Sequence, residues 1–284
     1  MIFLVCGFLD CESQRIGFVW SNTLRYYFMK IAHSTITVLA LSFAFAAPVF
    51  AQDDTAPAKS PYATELITRA STFLGNQKQF CVSSEIWEDI IIDGKELEFT
   101  RTADAKVRRP DRIQIDLAMY KPTRSFYYNG KTVTMLDHRT NFYGSTEAEG
   151  NIDDTIITLD NKFDTQFPLE DLLFSKPFGN AAENATSSQY LGKVNVLGVE
   201  CDHVAFQYPN LEWQAWIETG PVPVLRKVLV LRFDGDGVPR MTALFSDWDF
   251  STPLPDFVFE FSPAAGAMEI DIVPPPMPPT ETSK

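Results

Sequence analysis

The stretch Phe126-Tyr127-Tyr128-Asn129-Gly130-Lys131-Thr132-Val133-Thr134-Met135 decides how the chain is read. Aromatic and β-branched residues fill both arms, and the central Asn-Gly supplies the left-handed conformations that a tight hairpin turn demands. Working outward, Ile113, Ile115, Leu117 and Met119 alternate with Gln114, Asp116 and Ala118, so one face of this segment is apolar. Further upstream, Phe80, Val82, Ser84 and Ile86 share one strand face while Cys81, Ser83, Glu85 and Trp87 share the other. Asp93-Gly94 then turns the chain into Leu97–Arg101. Four or five consecutive antiparallel strands follow from these patterns.

The period changes on either side of this meander. Ser60-Pro61 has the form of an N-cap followed by proline at the first helical position, and Tyr62, Leu66, Ala70 and Phe73 repeat at helical spacing up to Gly75. Ile152, Ile156, Leu159 and Phe163 predict a second helix, and Leu169–Phe174 a short third one. Strands resume at 190–196, 199–208, 212–218, 224–233, 240–248 and 257–261. Pro209-Asn210, Gly220-Pro221 and Asp234-Gly235-Asp236-Gly237 supply the turns. About ten strands that mostly join their sequence neighbours predict a mainly β, α+β domain. Its form is a single curved antiparallel sheet, an open half-barrel closed by helices. No linker divides residues 61–272, so one domain is expected there, preceded by a linker at 52–60 and followed by a Pro-rich, unstructured tail at 273–284.

The N-terminus reads as an export signal. Lys30 precedes the apolar run Val38–Ala47, Pro48 breaks it, and Val49-Phe50-Ala51 places small residues where a signal peptidase cuts. The signal is expected to span 29–51, with cleavage between Ala51 and Gln52 and release into the periplasm. Residues 1–28 carry Asp10, Glu12, Arg15 and Arg25 and fit no export signal, so they read as a mis-assigned extension ahead of a true start at Met29.

Composition narrows the function. The 284 residues hold 24 Lys plus Arg against 37 Asp plus Glu, a formal charge of −13, which disfavours phosphate backbones and hence nucleic acid. With three histidines in the chain, a His-rich metal or catalytic cluster is not expected. Asp234-Gly235-Asp236-Gly237 lacks a third alternating oxygen ligand, because Val238 stands there, so it reads as a turn rather than a calcium loop. Glu88-Asp89, Asp153-Asp154 and Glu170-Asp171 read as solvated charge. Cys201 and His203 stand at i and i+2 of a strand and share a face, so a Cys–His nucleophile pair is an alternative, though no G-x-S-x-G element accompanies it. No catalytic, cofactor or metal residue is otherwise identifiable. Cys81 and Cys201 are the two cysteines beyond the export signal, and in an oxidising compartment they are expected to form a disulfide.

The motifs Cys201-Asp202-His203-Val204-Ala205-Phe206, Trp213-Gln214-Ala215-Trp216-Ile217-Glu218 and Val222-Pro223-Val224-Leu225-Arg226-Lys227 combine rare residues at fixed spacing. With Phe126–Thr134 and Asn141-Phe142-Tyr143, they resemble a bacterial family of predicted periplasmic proteins without assigned function, DUF2092, over about residues 60–270. That family is similar in fold to the lipoprotein localisation factors, the LolA-like proteins. The resemblance implies a non-enzymatic periplasmic carrier or sensor whose ligand is a lipid, a lipidated protein or another apolar molecule, in transient contact with the membrane surface or envelope proteins. A protein–protein interaction or regulatory module of the envelope is the alternative. Ile113, Ile115, Leu117 and Met119 form the cleanest single-faced stripe and are the expected lining of an apolar lumen. A solid core beneath the helices would use the same stripe.

Overall fold

A computed structural model describes residues 58–119, 123–163, 169–178, 180–233 and 237–272. The expected export signal, the extension before it, the turn at 234–236 and the Pro-rich tail lie outside the described residues. The first helix, α1 (Pro61–Gly75), starts as its sequence dictates: Ser60 accepts the Ala63 N–H on its side chain, and Pro61 occupies the first turn. Its stripe Ala63, Leu66, Ile67, Ala70 and Leu74 is buried.

Six strands then run in sequence: β1 (Gln79–Ile92), β2 (Lys95–Arg108), β3 (Arg112–Met119), β4 (Thr123–Tyr128), β5 (Thr132–Asp137) and β6 (Phe142–Glu147). Each pairs antiparallel with the next. The Asn129-Gly130 turn forms as expected, with Gly130 at φ +85° and the Asn129 side-chain oxygen accepting the backbone N–H groups of Lys131 and Thr132. The helices α2 (Ile152–Phe163), α3 (Glu170–Leu173) and α4 (Ala181–Asn184) follow. A second meander comprises β7 (Ser187–Val196), β8 (Val199–Gln207), β9 (Leu211–Glu218), β10 (Leu225–Arg232) and β11 (Arg240–Asp249).

The two meanders make one sheet of twelve strands, ordered β12-β6-β5-β4-β3-β2-β1-β11-β10-β9-β8-β7, where β12 is Met268–Glu269. The sheet is open: β12 and β7 stand at its two ends and do not pair. Because β6 and β7 lie near opposite ends, the chain between them must travel across the sheet, and it does so carrying α2, α3 and α4. Strand alternation divides the sheet into two faces. The inner face carries Phe80, Val82, Ala103, Ala105, Ile113, Ile115, Phe126, Tyr128, Val204, Phe206, Ala215 and Ala243. These merge with the stripes of α1, α2 and α3 into one core.

One end of this core is sealed. Ile152 N–H donates to Pro110 O at 2.8 Å, Tyr128 OH donates to Gly150 O at 2.9 Å, and Arg109 Nη1 donates to Leu173 O at 2.5 Å, closing the β2–β3 turn against α2 and α3. Burial holds the Arg109 guanidinium below its usual pKa, while Asp153 opposes the shift.

Two expectations are corrected here. Residues 257–261 do not form a strand: Asp256–Val258 is a single 3-10 turn, which buries Phe259 completely while leaving Phe257 76% exposed. Flanking prolines at 255 and 263 bend a segment whose alternating phenylalanines look like a strand. The Cys81–Cys201 disulfide is also absent, and both thiols are free. Cys81 on β1 faces Lys106 and Asp249 in register, whereas Cys201 on β8 faces Val194 and Glu218. Strands β11, β10 and β9 stand between them. Four interstrand steps of about 4.8 Å exceed the roughly 7 Å that a disulfide can span between Cα atoms.

Candidate functional site

The opposite end of the inner face is built differently. There, Phe206, Trp213, Val230, Met241, Glu88 and Phe99 are successive register partners across β8, β9, β10, β11, β1 and β2. Phe206 is buried, but Trp213, Val230 and Met241 are only half-buried against the core, as are Met135, Phe163, Leu169 and Phe178. Solvent therefore reaches an apolar part of the inner face. Trp213 packs between Phe206 and Phe178, with ring centroids 5.4 and 5.9 Å away. The aromatic wall is thereby fixed in place rather than free to collapse.

Two ion pairs border this apolar ring. Arg101 Nη2 stands 3.0 Å from Glu88 Oε2, and Arg124 Nε 3.4 Å from Asp137 Oδ2. Both pairs sit on inner-face register positions. Burial alone would raise the Asp137 carboxyl pKa, but the backbone N–H groups of Thr140 and Arg139 together with Arg124 outweigh it and hold the group below the usual range. Each charge thus has a partner, and apolar side chains remain the dominant surface of the ring.

The predicted stripe lies on this same inner face. Ile113 and Ile115 are completely buried at the sealed end, and Leu117 is 8% exposed. Met119 pairs in register with Arg101, one step from the ring, and its side chain lies outside the described ones. Trp213 and the strand Val224–Leu231, apolar on both faces, stand out in the sequence, where they fit an apolar lumen or a packed sheet and periodicity does not separate the two. Met241 escaped the sequence reading, because an alternating strand reveals two faces without saying which is inward.

The catalytic alternative fails on its own residues. Cys201 is fully buried, and burial together with Glu218 pushes its thiol up to about 11, so the nucleophilic thiolate is scarce at neutral pH. His203 is committed elsewhere. Its Nε2 is 2.9 Å from Gln214 Oε1, and its ring stacks on Trp216 at 4.1 Å with Lys227 Nζ 4.5 Å from the Trp216 centroid. Burial, followed by the charge of Lys227, holds the His203 pKa below its usual value against the Gln214 hydrogen bond.

A Ser-His-Asp trio that the sequence reading did not flag lies on the outer face: Ser125 Oγ is 2.5 Å from Asp116 Oδ1 and 2.8 Å from His138 Nε2. Its wiring is the reverse of an activated serine. Ser125 Oγ donates its one hydrogen bond to Asp116, which leaves it only an acceptor's role toward His138. Among the described residues, no group of three His, Cys, Asp or Glu side chains is placed to hold a metal, and no helix is long and apolar enough to cross a membrane.

The described residues thus form an open, mainly antiparallel sheet with helices over one face and a half-buried apolar row at one end of that face. The chain belongs to the DUF2092 family, described as predicted periplasmic proteins, whose profile matches residues 63–273. Among solved structures it is similar to the lipoprotein LppX of Mycobacterium tuberculosis (12% identity, TM-score 0.46, covering 69% of this chain and 99% of that one). It is similar to LprF of Mycobacterium bovis at 14% identity and a TM-score of 0.43, covering 70% of this chain and 98% of that one. A LolA superfamily protein of Nitrosomonas europaea matches at 10% identity and a TM-score of 0.31, covering 70% of this chain and 97% of that one. No curated protein matches the sequence.

Proposed function

We propose that this chain is an exported periplasmic binding protein that carries apolar ligands, an acyl chain or a lipidated polypeptide, and performs no covalent chemistry. The observation that carries the reading is the half-exposed row Trp213, Val230 and Met241 on a face that α2 and α3 close at its other end. A soluble domain leaves such a surface open to water at a cost of about 25 cal/mol per Å² unless something covers it. Burying about ten methylenes of a ligand there would contribute roughly 8 kcal/mol before ordering costs, so about micromolar is the upper bound on affinity for a chain of that length without further contacts. Leu117, nearer the ring than Ile113 and Ile115, is the member of the predicted stripe with a described side chain that would reach such a ligand, and Met119 follows it on the same strand face. The high thiol pKa of Cys201 and the committed His203 support a non-enzymatic role.

Release into the periplasm after cleavage between Ala51 and Gln52 is part of the proposal. It is supported by the export signal in the sequence and by the family's description. The test is native mass spectrometry of the protein extracted from the periplasm without detergent. The expected result is a population with a lipid-mass adduct that organic extraction removes. A wholly unliganded protein that also binds no acyl probe would overturn the reading.

A further inference from the structure

The carboxylates around the apolar row are answered in different ways. Glu88, in register with Met241, has Arg101 3.0 Å away, and Asp137 has Arg124 at 3.4 Å together with the N–H groups of Arg139 and Thr140. At the Trp213 end stands a third carboxylate, Asp171, in the first turn of α3. Its backbone carbonyl accepts the Phe178 N–H at 3.1 Å, which fixes it beside Phe178, whose ring packs on Trp213 at 5.9 Å. Its side chain accepts no hydrogen bond and meets no cation among the described residues.

The sequence reads Glu170-Asp171 as solvated charge, and for Asp171 the structure differs. The residue is exposed to solvent, yet protein crowds it so closely that desolvation raises its pKa, with no opposing charge to bring it down. A group that water reaches while protein surrounds it stands in a recess. Tyr208, just past β8, locates that recess: burial, and then the charge of Asp171, pushes its phenol up to about 12. The phenol donates to Ala181 O at 2.7 Å, so it has no hydrogen bond to offer Asp171. Trp213, Phe178 and Tyr208 are all half-buried against the core, and Phe206 backs Trp213 at 5.4 Å. Aromatic surface and one uncompensated carboxyl therefore meet at this end of the row.

That combination suits an ammonium group. Aromatic rings attract a cation through their quadrupole, and a carboxylate adds a charge-assisted hydrogen bond that low-dielectric surroundings strengthen. An anionic headgroup would leave the carboxyl unanswered and repel it. We propose that Asp171, with Phe178, Tyr208 and Trp213, seats the ammonium headgroup of an amphiphile whose hydrocarbon chain lies on Val230 and Met241. The inference rests on the carrier reading and adds the class of ligand, an amino lipid. It also adds the direction in which the ligand lies, because Glu88 at the other end of the row already has its cation.

Displacement of a bound fluorescent long-chain fatty acid from the chain beginning at Gln52 tests this with two lysolipids of one acyl chain. Lysophosphatidylethanolamine carries the ammonium and lysophosphatidylglycerol does not. The wild type is expected to bind the first about tenfold more tightly. Asp171→Asn keeps the size of the side chain and removes its charge. It should bring the two lysolipids within about twofold of each other by weakening the ethanolamine form, with the fatty acid bound no more weakly than before. Nothing donates to the Asp171 side chain, so the thermal midpoint of this variant should not fall. Phe178→Leu, which keeps hydrocarbon and removes a ring, should also reduce the preference. Glu183→Gln, an exposed acid on the neighbouring α4, should retain it in full, which separates one local carboxyl from the acidic charge of the whole chain.

Equal affinity for the two lysolipids in the wild type, or a preference that survives Asp171→Asn, would overturn the ammonium site while leaving the carrier reading in place. Displacement by ethanolamine alone at the concentrations where its lysolipid acts would also overturn it, since a free amine would then be the ligand. Failure of the wild-type protein to bind the fatty acid or either lysolipid would remove the carrier reading, and the ammonium site with it.

Discussion

Ile86 of β1 lies directly opposite Ala243 of β11, and that pairing joins the two meanders into one sheet. Both side chains are 3% exposed and face the helices. Ala243 shares its buried core with Ala103, Ala215 and the helix stripes, so a larger side chain there has to find room in a close-packed interior.

Ala243→Phe should therefore overpack the seam. The expected loss is about 1–3 kcal/mol, read as a lower midpoint in urea unfolding at an unchanged slope. Thr242→Val, one residue away on the outer face, should stay within about 0.5 kcal/mol of wild type. Equal stability of the two variants would mean that the seam is not close-packed.

The thiols give a second, chemical check. The chain from Gln52 onward, denatured without reductant, should release two thiols to a disulfide-exchange reagent. In the native state at pH 8, the fully buried Cys201, with its thiol near 11, should react more slowly than the half-buried Cys81. Recovery of no thiols would restore the disulfide and contradict the sheet order between β1 and β8.

The C-terminal segment is pinned across the β2–β6 region by a chain of contacts. Arg108 donates to Leu254 O at 2.6 Å, pairs with Asp256, and stands over the Phe259 ring at 5.2 Å. Phe261 then packs on Tyr143 at 4.8 Å and on Tyr127 at 5.5 Å. Phe259→Ala should cost about 3–5 kcal/mol, because a fully buried ring is lost. Phe257→Ala, 76% exposed, should be nearly neutral. Chemical denaturation of the pair decides it.

His203 predicts a pH dependence. Its folded pKa lies below the value of 6.5 expected in the unfolded chain, so the unfolded state binds more protons on acidification. Its contribution to stability is complete well above pH 6.5 and is lost as pH falls through 6.5 towards the folded pKa. The thermal midpoint should decline between about pH 7.5 and 5, and His203→Asn should flatten that part of the curve. An identical slope in the variant would assign the dependence to other groups.

Local chemistry was legible in the sequence and long-range pairing was not. The Ser60 cap, the Asn129-Gly130 turn and the α2 stripe each depend on residues a few positions apart, and each formed as read. The β1–β11 seam depends on residues far apart in sequence whose side chains carry no mark of their partner. The disulfide expectation failed for that reason, since cysteine count says nothing about strand order. On β3 the sequence separated the apolar face from the polar one, and Ile113 and Ile115 are buried in the core, where the solid-core alternative also puts them. Which end of that face stays open depends on where α2 and α3 pack, and no strand pattern encodes it.

The central claim is that the Trp213–Val230–Met241 row holds an apolar chain. Equilibrium titration of the delipidated protein with a fluorescent long-chain fatty acid, wild type beside Met241→Lys, tests it most directly. The half-buried Met241 can be replaced by a long side chain whose ammonium reaches solvent, so the fold should survive and circular dichroism should be unchanged. Saturable one-to-one binding by the wild type, weakened about tenfold or more in Met241→Lys, is the predicted result. Absence of saturable binding, or equal affinity in both proteins, would contradict the account.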